Sequence, residues 1–142
     1  GLKIGVIGGG SVGCECAETL AEAGNSVTLY EMREGVGIDL DPVTRGDLLR
    51  RLETSGVTIK TGHCFQRYED KELTCTFGEA ESGDSVELLV VAAGFRKPAP
   101  LLAELAESEI PFTAIGDALR PGRFVDATRQ ACLAVARLRD MV

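Results

Sequence analysis

The stretch that most constrains this chain is its opening, "LKIGVIGGGSVGCECAETL". An apolar run, Lys3 to Ile7, leads straight into Gly8, Gly9 and Gly10, and Gly13 follows close behind. A short run without polar alternation predicts a strand covered on both faces, as in a parallel sheet. From Ser11 to Ala23, Val12, Cys16, Ala17, Leu20 and Ala23 recur at three- and four-residue steps, which predicts a helix with one apolar face. Gly24-Asn25 stops that helix, and "SVTLY", Ser26 to Tyr30, predicts a second strand ending at Glu31.

Gly8, Gly10 and Gly13 satisfy G-x-G-x-x-G. Alone the pattern is weak; here a strand precedes it, a helix follows, and an acidic residue closes the next strand about twenty positions on. Each glycine has a physical task. Gly8 permits the tight turn, Gly10 lets backbone N–H groups approach a pyrophosphate, and Gly13 lets the helix lie close to the sheet. The helix N-terminus, Ser11 and Val12 with Gly13, offers unpaired donors and partial positive charge to that pyrophosphate. Glu31 would accept ribose hydroxyls and repel a 2′-phosphate, favouring NAD(H) over NADP(H). Arg33, two residues beyond, either softens that preference or is a solvated arginine.

The remainder is consistent with a doubly wound half. Asp41-Pro42 places a capping residue before a first-turn proline, Leu48, Leu49 and Leu52 form an apolar face, Arg45, Arg50 and Arg51 read as solvated, and Gly56 ends the helix. "VTIKTG" is a third strand, completing βαβαβ. "CFQRYE", "ELTCTF" and "SVELLVVAAG" are β-like runs separated by acidic and glycine turns such as "GEAESGD". They predict an antiparallel excursion and a return strand, Leu88 to Ala92. A loop "AAGFRKPAP", a short helix Leu101 to Glu107, a last strand "PFTAIGDA" and a closing helix from Phe124 to Met141 follow, the last with Ala127, Ala131, Val135 and Leu138 on one side. The expected fold is α/β: a Rossmann-like three-layer domain with a central parallel sheet and a small antiparallel excursion. Residues 1–110 would be the nucleotide-binding domain and 111–142 a trailing strand and helix.

Composition removes several function classes. A formal net charge of −7 argues against nucleic acid, and no run approaches the length of a membrane span. The odd count of five cysteines suits reduced thiols in the cytoplasm. Cys14 and Cys16 face different sides of their helix, so no metal site is expected. His63, the one histidine, reads as a loop or strand-end residue, with weak metal or acid–base alternatives. A complete small dehydrogenase would need a positioned proton donor, yet Tyr30 and Tyr68 lack a helical lysine partner and His63 lacks an evident orienting acid. No catalytic residue is therefore assigned. A stand-alone redox-sensing nucleotide module is the alternative reading, but the acidic balance offers no partner-reading helix.

The chain has no initiating Met and enters a strand at once, which reads as part of a longer protein. "GVIGGGSVGCECAETLAEAGNSVTLYEM" and "GIDLDPVTRGDLLRRLETSGVTIKTG" resemble the pyridine-nucleotide-binding part of flavin oxidoreductases. The resemblance is greatest to the C-terminal region of NADH:flavin oxidoreductases related to 2,4-dienoyl-CoA reductase and trimethylamine dehydrogenase. It implies a parent with an FMN barrel, an iron–sulfur cluster and a C-terminal FAD/NAD(P) region. "VVAAGFRKP" is similar to the family's strand ending in Ala-x-Gly with a downstream proline, here Ala92, Gly94 and Pro98. "FTAIGDA" looks like the strand that meets FAD, which puts Gly116 and Asp117 at the flavin; unaided, Asp117 reads as a capped turn. Glu15 matches a glutamate near the nicotinamide in related disulfide reductases, although spacing alone makes it a first-turn helix acid. The chain departs from the family in holding only one G-x-G-x-x-G, so FAD and its domain are expected elsewhere in the parent. The expected partners are the FAD domain and the FMN barrel, or a second copy through exposed apolar surface of 111–142. Alone, the chain is expected to be inactive.

Overall fold

The computed structural model describes residues 1–94, 100–108 and 110–139. Contacts divide the chain into two units, Gly1–Gly94 and Phe95–Val142.

The first unit begins β1 (Lys3–Ile7), α1 (Ser11–Glu22), β2 (Ser26–Glu31), α2 (Pro42–Thr54) and β3 (Thr58–Thr61). It continues with β4 (His63–Glu69), β5 (Glu72–Phe77), β6 (Ala80–Ser85) and the return strand β7 (Leu88–Val91). A parallel sheet has the order β3-β2-β1-β7, with Ile4 opposite Val27 on one side and Leu88 on the other. Strands β4, β5 and β6 form a separate antiparallel sheet.

Alternation along the central strands sorts the core into two layers. Ile4, Val6, Val27 and Leu29 join Cys14 and Ala17 of α1 and Leu48 and Leu52 of α2. Ile7 and Tyr30, on the opposite face, pack with Leu73 and Cys75 of β5 and with Val86. Both faces of β1 and β2 are thus covered, which is why their sequence carries no polar alternation. The expected three-layer α/β architecture is the one observed.

Several local readings are corrected. The buried side of α1 is Gly13, Cys14, Ala17 and Glu18, whereas Val12 is exposed. Small residues win because the helix start lies against the glycine turn, where a Cβ on Gly13 would sit 1.8 Å from the Gly8 carbonyl oxygen. Arg51 is not merely solvated: its Nη1 donates to both oxygens of the buried Glu18 at 2.8 and 2.6 Å, tying α2 to α1. Asp41 caps α2 as its sequence predicts, accepting from the Val43 and Thr44 N–H groups at 3.1 Å.

"GEAESGD", read as a turn, is mostly β6, paired antiparallel with β5 from Phe77↔Ala80 to Glu72↔Ser85. Its acidic and glycine content suits an edge strand, where charge discourages further pairing. The return strand stops at Val91.

In the second unit, α3 (Pro100–Glu107) and α4 (Phe124–Arg139) flank a three-residue 3-10 turn, Gly116–Ala118. The last strand expected over 111–118 is absent among the described residues. Ile115 is extended, but no ladder forms there. The Gln130 side chain of α4 instead accepts the Gly116 N–H at 2.6 Å. The half-buried residues of α4 are Asp126, Ala127, Gln130, Ala131 and Ala134 among those described, while Val135 is exposed. The Leu138 side chain and residue Met141 lie outside the described residues, as does Pro98.

A polar tie fastens the antiparallel sheet to the parallel one. The Tyr30 hydroxyl donates to Asp84 Oδ2 at 2.9 Å, and Lys60 Nζ meets the same oxygen at 2.6 Å. Burial opposes the ionised Asp84 carboxyl, but Lys60 and Tyr30 outweigh it and hold it below the usual carboxylate range. A depressed native pKa makes this stabilisation complete above the unfolded value and removes it as pH falls through the native one. Asp84→Ala should cost about 2 kcal/mol in urea unfolding at neutral pH, because it removes the acceptor shared by Tyr30 and Lys60, and progressively less against wild type in acid, where the carboxylate becomes protonated. An unchanged midpoint at neutral pH would remove the tie from the account of stability.

Candidate functional site

The chain runs from β1 to β3 on one side of the sheet and returns through β7 on the other, so β1 borders the topological switch point. In open parallel sheets the crevice outside the strand ends at that point is where ligands bind. Here it holds a cleft of about 570 Å³, lined by Gly8 and Gly10 after β1, Glu31 and Arg33 at β2, His63 and Cys64 at β4, and Ala92 to Gly94 after β7.

The glycines of the turn divide into those the protein's own packing requires and one it does not. Gly8 has φ +108°, and a Cβ there would lie 2.4 Å from the Ala92 carbonyl oxygen. A Cβ on Gly9 would lie 2.6 Å from Val36 and 2.9 Å from Glu31, and Gly13 is closed off by Gly8. Gly10 differs. Its φ is −72°, and a Cβ there would meet nothing within 4 Å. The room in front of Gly10 belongs to the cleft.

Behind that room stands the start of α1. Gly10 is its N-cap, no side chain caps it, and its first turn carries no acidic residue. The free N–H groups and the positive dipole end are therefore uncompensated by side chains, an arrangement suited to an anion such as a pyrophosphate.

Glu31 fixes the turn from the side. It is only 4% exposed; Oε2 accepts the Gly9 N–H at 2.6 Å, and Oε1 accepts the Arg33 N–H at 2.9 Å and Arg33 Nε at 3.0 Å. Burial raises the cost of its charge, but the Arg33 and Gly9 donors prevail and keep the carboxyl below its ordinary range. The loop after β2 closes over the same turn: the Gly37 N–H donates to the Gly9 carbonyl at 2.6 Å, with Val36 buried beneath.

Of the residues singled out from sequence, Gly8, Gly10, Glu31, Arg33 and Gly94 come together in the cleft. Ser11, Val12 and Gly13 form the helix start behind it. Glu15 is exposed, lies beyond the first turn and does not line the cleft, so the helix-dipole reading of it fails. Gly116 and Asp117 belong to the second unit, where Asp117 Oδ1 accepts the Gly122 N–H at 3.3 Å as a turn cap does.

Sequence reasoning assigned no task to Gly9, whose N–H is the one Glu31 holds. It also set His63 aside, yet His63 lines the cleft, with Nδ1 2.7 Å from the Thr61 carbonyl and its ring 5.0 Å from that of Phe77. The available signal was positional: His63 comes directly after the end of β3, at the same rim as Glu31. Cys14 lies under the turn, where burial, then the charge of Asp39, pushes its thiol up to about 11. No group of His, Cys, Asp and Glu suited to a metal occurs among the described residues, and no described helix is long and apolar enough to cross a membrane.

A bare turn after the first strand, an open helix N-terminus and an acid at the end of the second strand define a Rossmann-like dinucleotide-binding fold. Residues 2–122 match the sequence profile of the pyridine nucleotide-disulphide oxidoreductases, and the chain belongs to that family. It is 32% identical over 127 residues to an NADH oxidase of Thermoanaerobacter brockii, covering 88% of this chain and 20% of that protein. Among solved structures, a 2-naphthoyl-CoA reductase in complex with 2-naphthoyl-CoA superposes with a TM-score of 0.76 at 20% identity, over 92% of this chain and 20% of that one. The water-forming NADH oxidase of Lactobacillus brevis, bound to NADH, gives a TM-score of 0.58 at 25% identity, over 71% of this chain and 23% of that one. The chain spans about a fifth of the length of these proteins.

Two outcomes follow from the packing. Gly13→Ala should lower stability by ~3 kcal/mol in urea unfolding, because the added methyl meets backbone that cannot rotate away. In the native chain a thiol reagent should modify the exposed Cys64 and Cys132 rapidly, and the buried Cys14 and Cys75 only on unfolding. Fast modification of Cys14 would contradict its placement.

Proposed function

We propose that this chain is the NAD(H)-binding portion of a flavin-dependent oxidoreductase. Gly10 carries the reading: it is the glycine of the turn whose missing side chain the protein's own packing does not explain. A pyrophosphate at the α1 N-terminus accounts for it, since any Cβ there would stand between the phosphate and the backbone donors.

The remaining groups fall into roles around that anchor. Glu31 meets the adenosine ribose beyond the end of β2. The other half of the dinucleotide then runs across β1 towards Ala92, Ala93 and Gly94 after β7, a wall with no charged side chain. When bound, the nicotinamide supplies a hydride, for which FAD in the rest of the parent is the acceptor. The chain's residues bind and orient, and no proton transfer is assigned to them.

On this reading the parent resembles the NADH:flavin oxidoreductases of the 2,4-dienoyl-CoA reductase and trimethylamine dehydrogenase type, with FMN and an iron–sulfur cluster elsewhere, and it works in the cytoplasm. The motifs VVAAGFRKP, with Gly94, and FTAIGDA, with Asp117, support this. The FAD domain is the partner, and Phe112 and Phe124, exposed on the second unit, are surface available to it.

The test is Gly10→Ala, titrated calorimetrically with NADH, NADPH and FAD beside wild type. The added methyl has room, so stability should fall by less than about 1 kcal/mol, the scale of an N-cap change. NADH affinity should fall by about tenfold or more, through lost donors to the pyrophosphate. An unaltered NADH affinity, or tight FAD binding without NADH, would overturn the assignment.

A further inference from the structure

The roles above leave His63 unused, although it lines the cleft. It follows closely on β3, whose Thr61 stands opposite Glu31 in the parallel ladder. In the sheet order β3 lies on the far side of β2 from β1 and its glycine turn. The histidine therefore comes at the outer end of the cleft, past the residue that would meet the adenosine ribose.

Its ring is held in one place and, when neutral, in one tautomer. Nδ1 lies 2.7 Å from the Thr61 carbonyl oxygen, which can only accept, so Nδ1 carries the hydrogen. Nε2 of the neutral ring is then an acceptor, and it has no partner among the described residues. The Phe77 ring packs on the imidazole at 5.0 Å between centroids, and Tyr30 meets it edge-on at 6.4 Å. Phe77 is itself seated on Gly62, where a Cβ would stand 2.9 Å from its ring. The charged groups nearby are engaged with one another, Glu31 with Gly9 and Arg33, and Lys60 with Asp84. Met32 and Phe65, both exposed, line the same cleft and offer apolar surface to the faces of a base.

From this fixed, unclaimed acceptor we propose that His63 reads the base of the nucleotide: Nε2 accepts from the 6-amino group of adenine, and purines with a 6-oxo group are discriminated against. The inference rests on the dinucleotide reading above and deepens it, since that reading gives the base no polar contact. Adenine presents N–H donors at this position. Hypoxanthine presents a carbonyl oxygen there, so that an acceptor would face an acceptor and neither would be satisfied. A site built to pair with one polar group rejects the analogue lacking it more strongly than a shape difference alone would allow.

The experiment is calorimetric titration of the full chain with NADH and with its hypoxanthine analogue, deamino-NADH. It is run at about pH 8, above the range in which a histidine ordinarily takes up its proton. Wild type, His63→Phe and His63→Gln are compared, with a melting curve on each to establish that it folds. The readout is the ratio of the two dissociation constants. Wild type should favour NADH by about tenfold or more, the scale of a polar group left unpaired. His63→Phe keeps a ring without the acceptor, so its ratio should fall to about one, with the loss confined to NADH. In His63→Gln the amide can present either its oxygen or its N–H, so the preference should narrow while both nucleotides bind. A merely structural role for His63 would weaken both nucleotides alike. If both bind wild type equally, or the preference survives in His63→Phe, the inference is overturned while the nucleotide site stands. If wild type binds neither, the inference and the dinucleotide reading fall together.

Discussion

The hydrogen bond between Glu31 Oε2 and the Gly9 N–H, 2.6 Å long and buried, holds the site in its shape. It spans the ends of two neighbouring strands and converts a flexible run of glycines into a defined turn. With the Gly8 N–H on the Tyr30 carbonyl at 2.8 Å, it anchors the turn to β2 at two points. Gly9 must lack a side chain for the carboxylate to come this near, and Val36 and Gly37 then close the loop over the same backbone. The open helix N-terminus faces the cleft because these contacts aim it there. A charge in so dry a position survives only because its hydrogen-bond capacity is nearly filled.

The cleft draws on distant parts of the chain. Its floor is the turn after β1, one rim is the end of β2 with the start of β4, and the other is the residues after β7. The antiparallel sheet contributes His63 and Cys64 to that rim while its second strand underlies the parallel sheet through Leu73 and Cys75. The excursion is therefore both a third structural layer and one wall of the site. Tyr30 serves both, lining the cleft and binding Asp84 through its hydroxyl.

Much of this was legible in the sequence, for definite reasons. Strands covered on both faces read as apolar runs, and Gly8, Gly13 and Glu31 announced themselves by spacing, because backbone geometry enforces their positions. The Asp41 cap was equally plain, since it depends only on neighbours in sequence. What escaped notice depends on contacts across the fold. The α1 face was misjudged because close approach to the turn favours Gly13 and Cys14 over the bulkier Val12. Strand β6 looked like a turn because an edge strand in a polar setting needs no apolar alternation. Arg51 and Arg33 both read as solvated or ambiguous, and only the fold shows the carboxylates they meet. The expected strand before Gly116 has strand-like residues but no described neighbour with which to form a ladder.

The division of labour among the glycines also bears on how such a chain can drift. Gly8, Gly9 and Gly13 are required by the protein itself, so selection for folding alone would preserve them whether or not anything ever occupied the cleft. Gly10 is under no such obligation. A descendant that lost its ligand would keep a recognisable fingerprint at three of its glycines and be free to vary at the fourth. Position 10 is thus where a lapsed binding domain would first differ from a working one, while the fold beneath it remained the same.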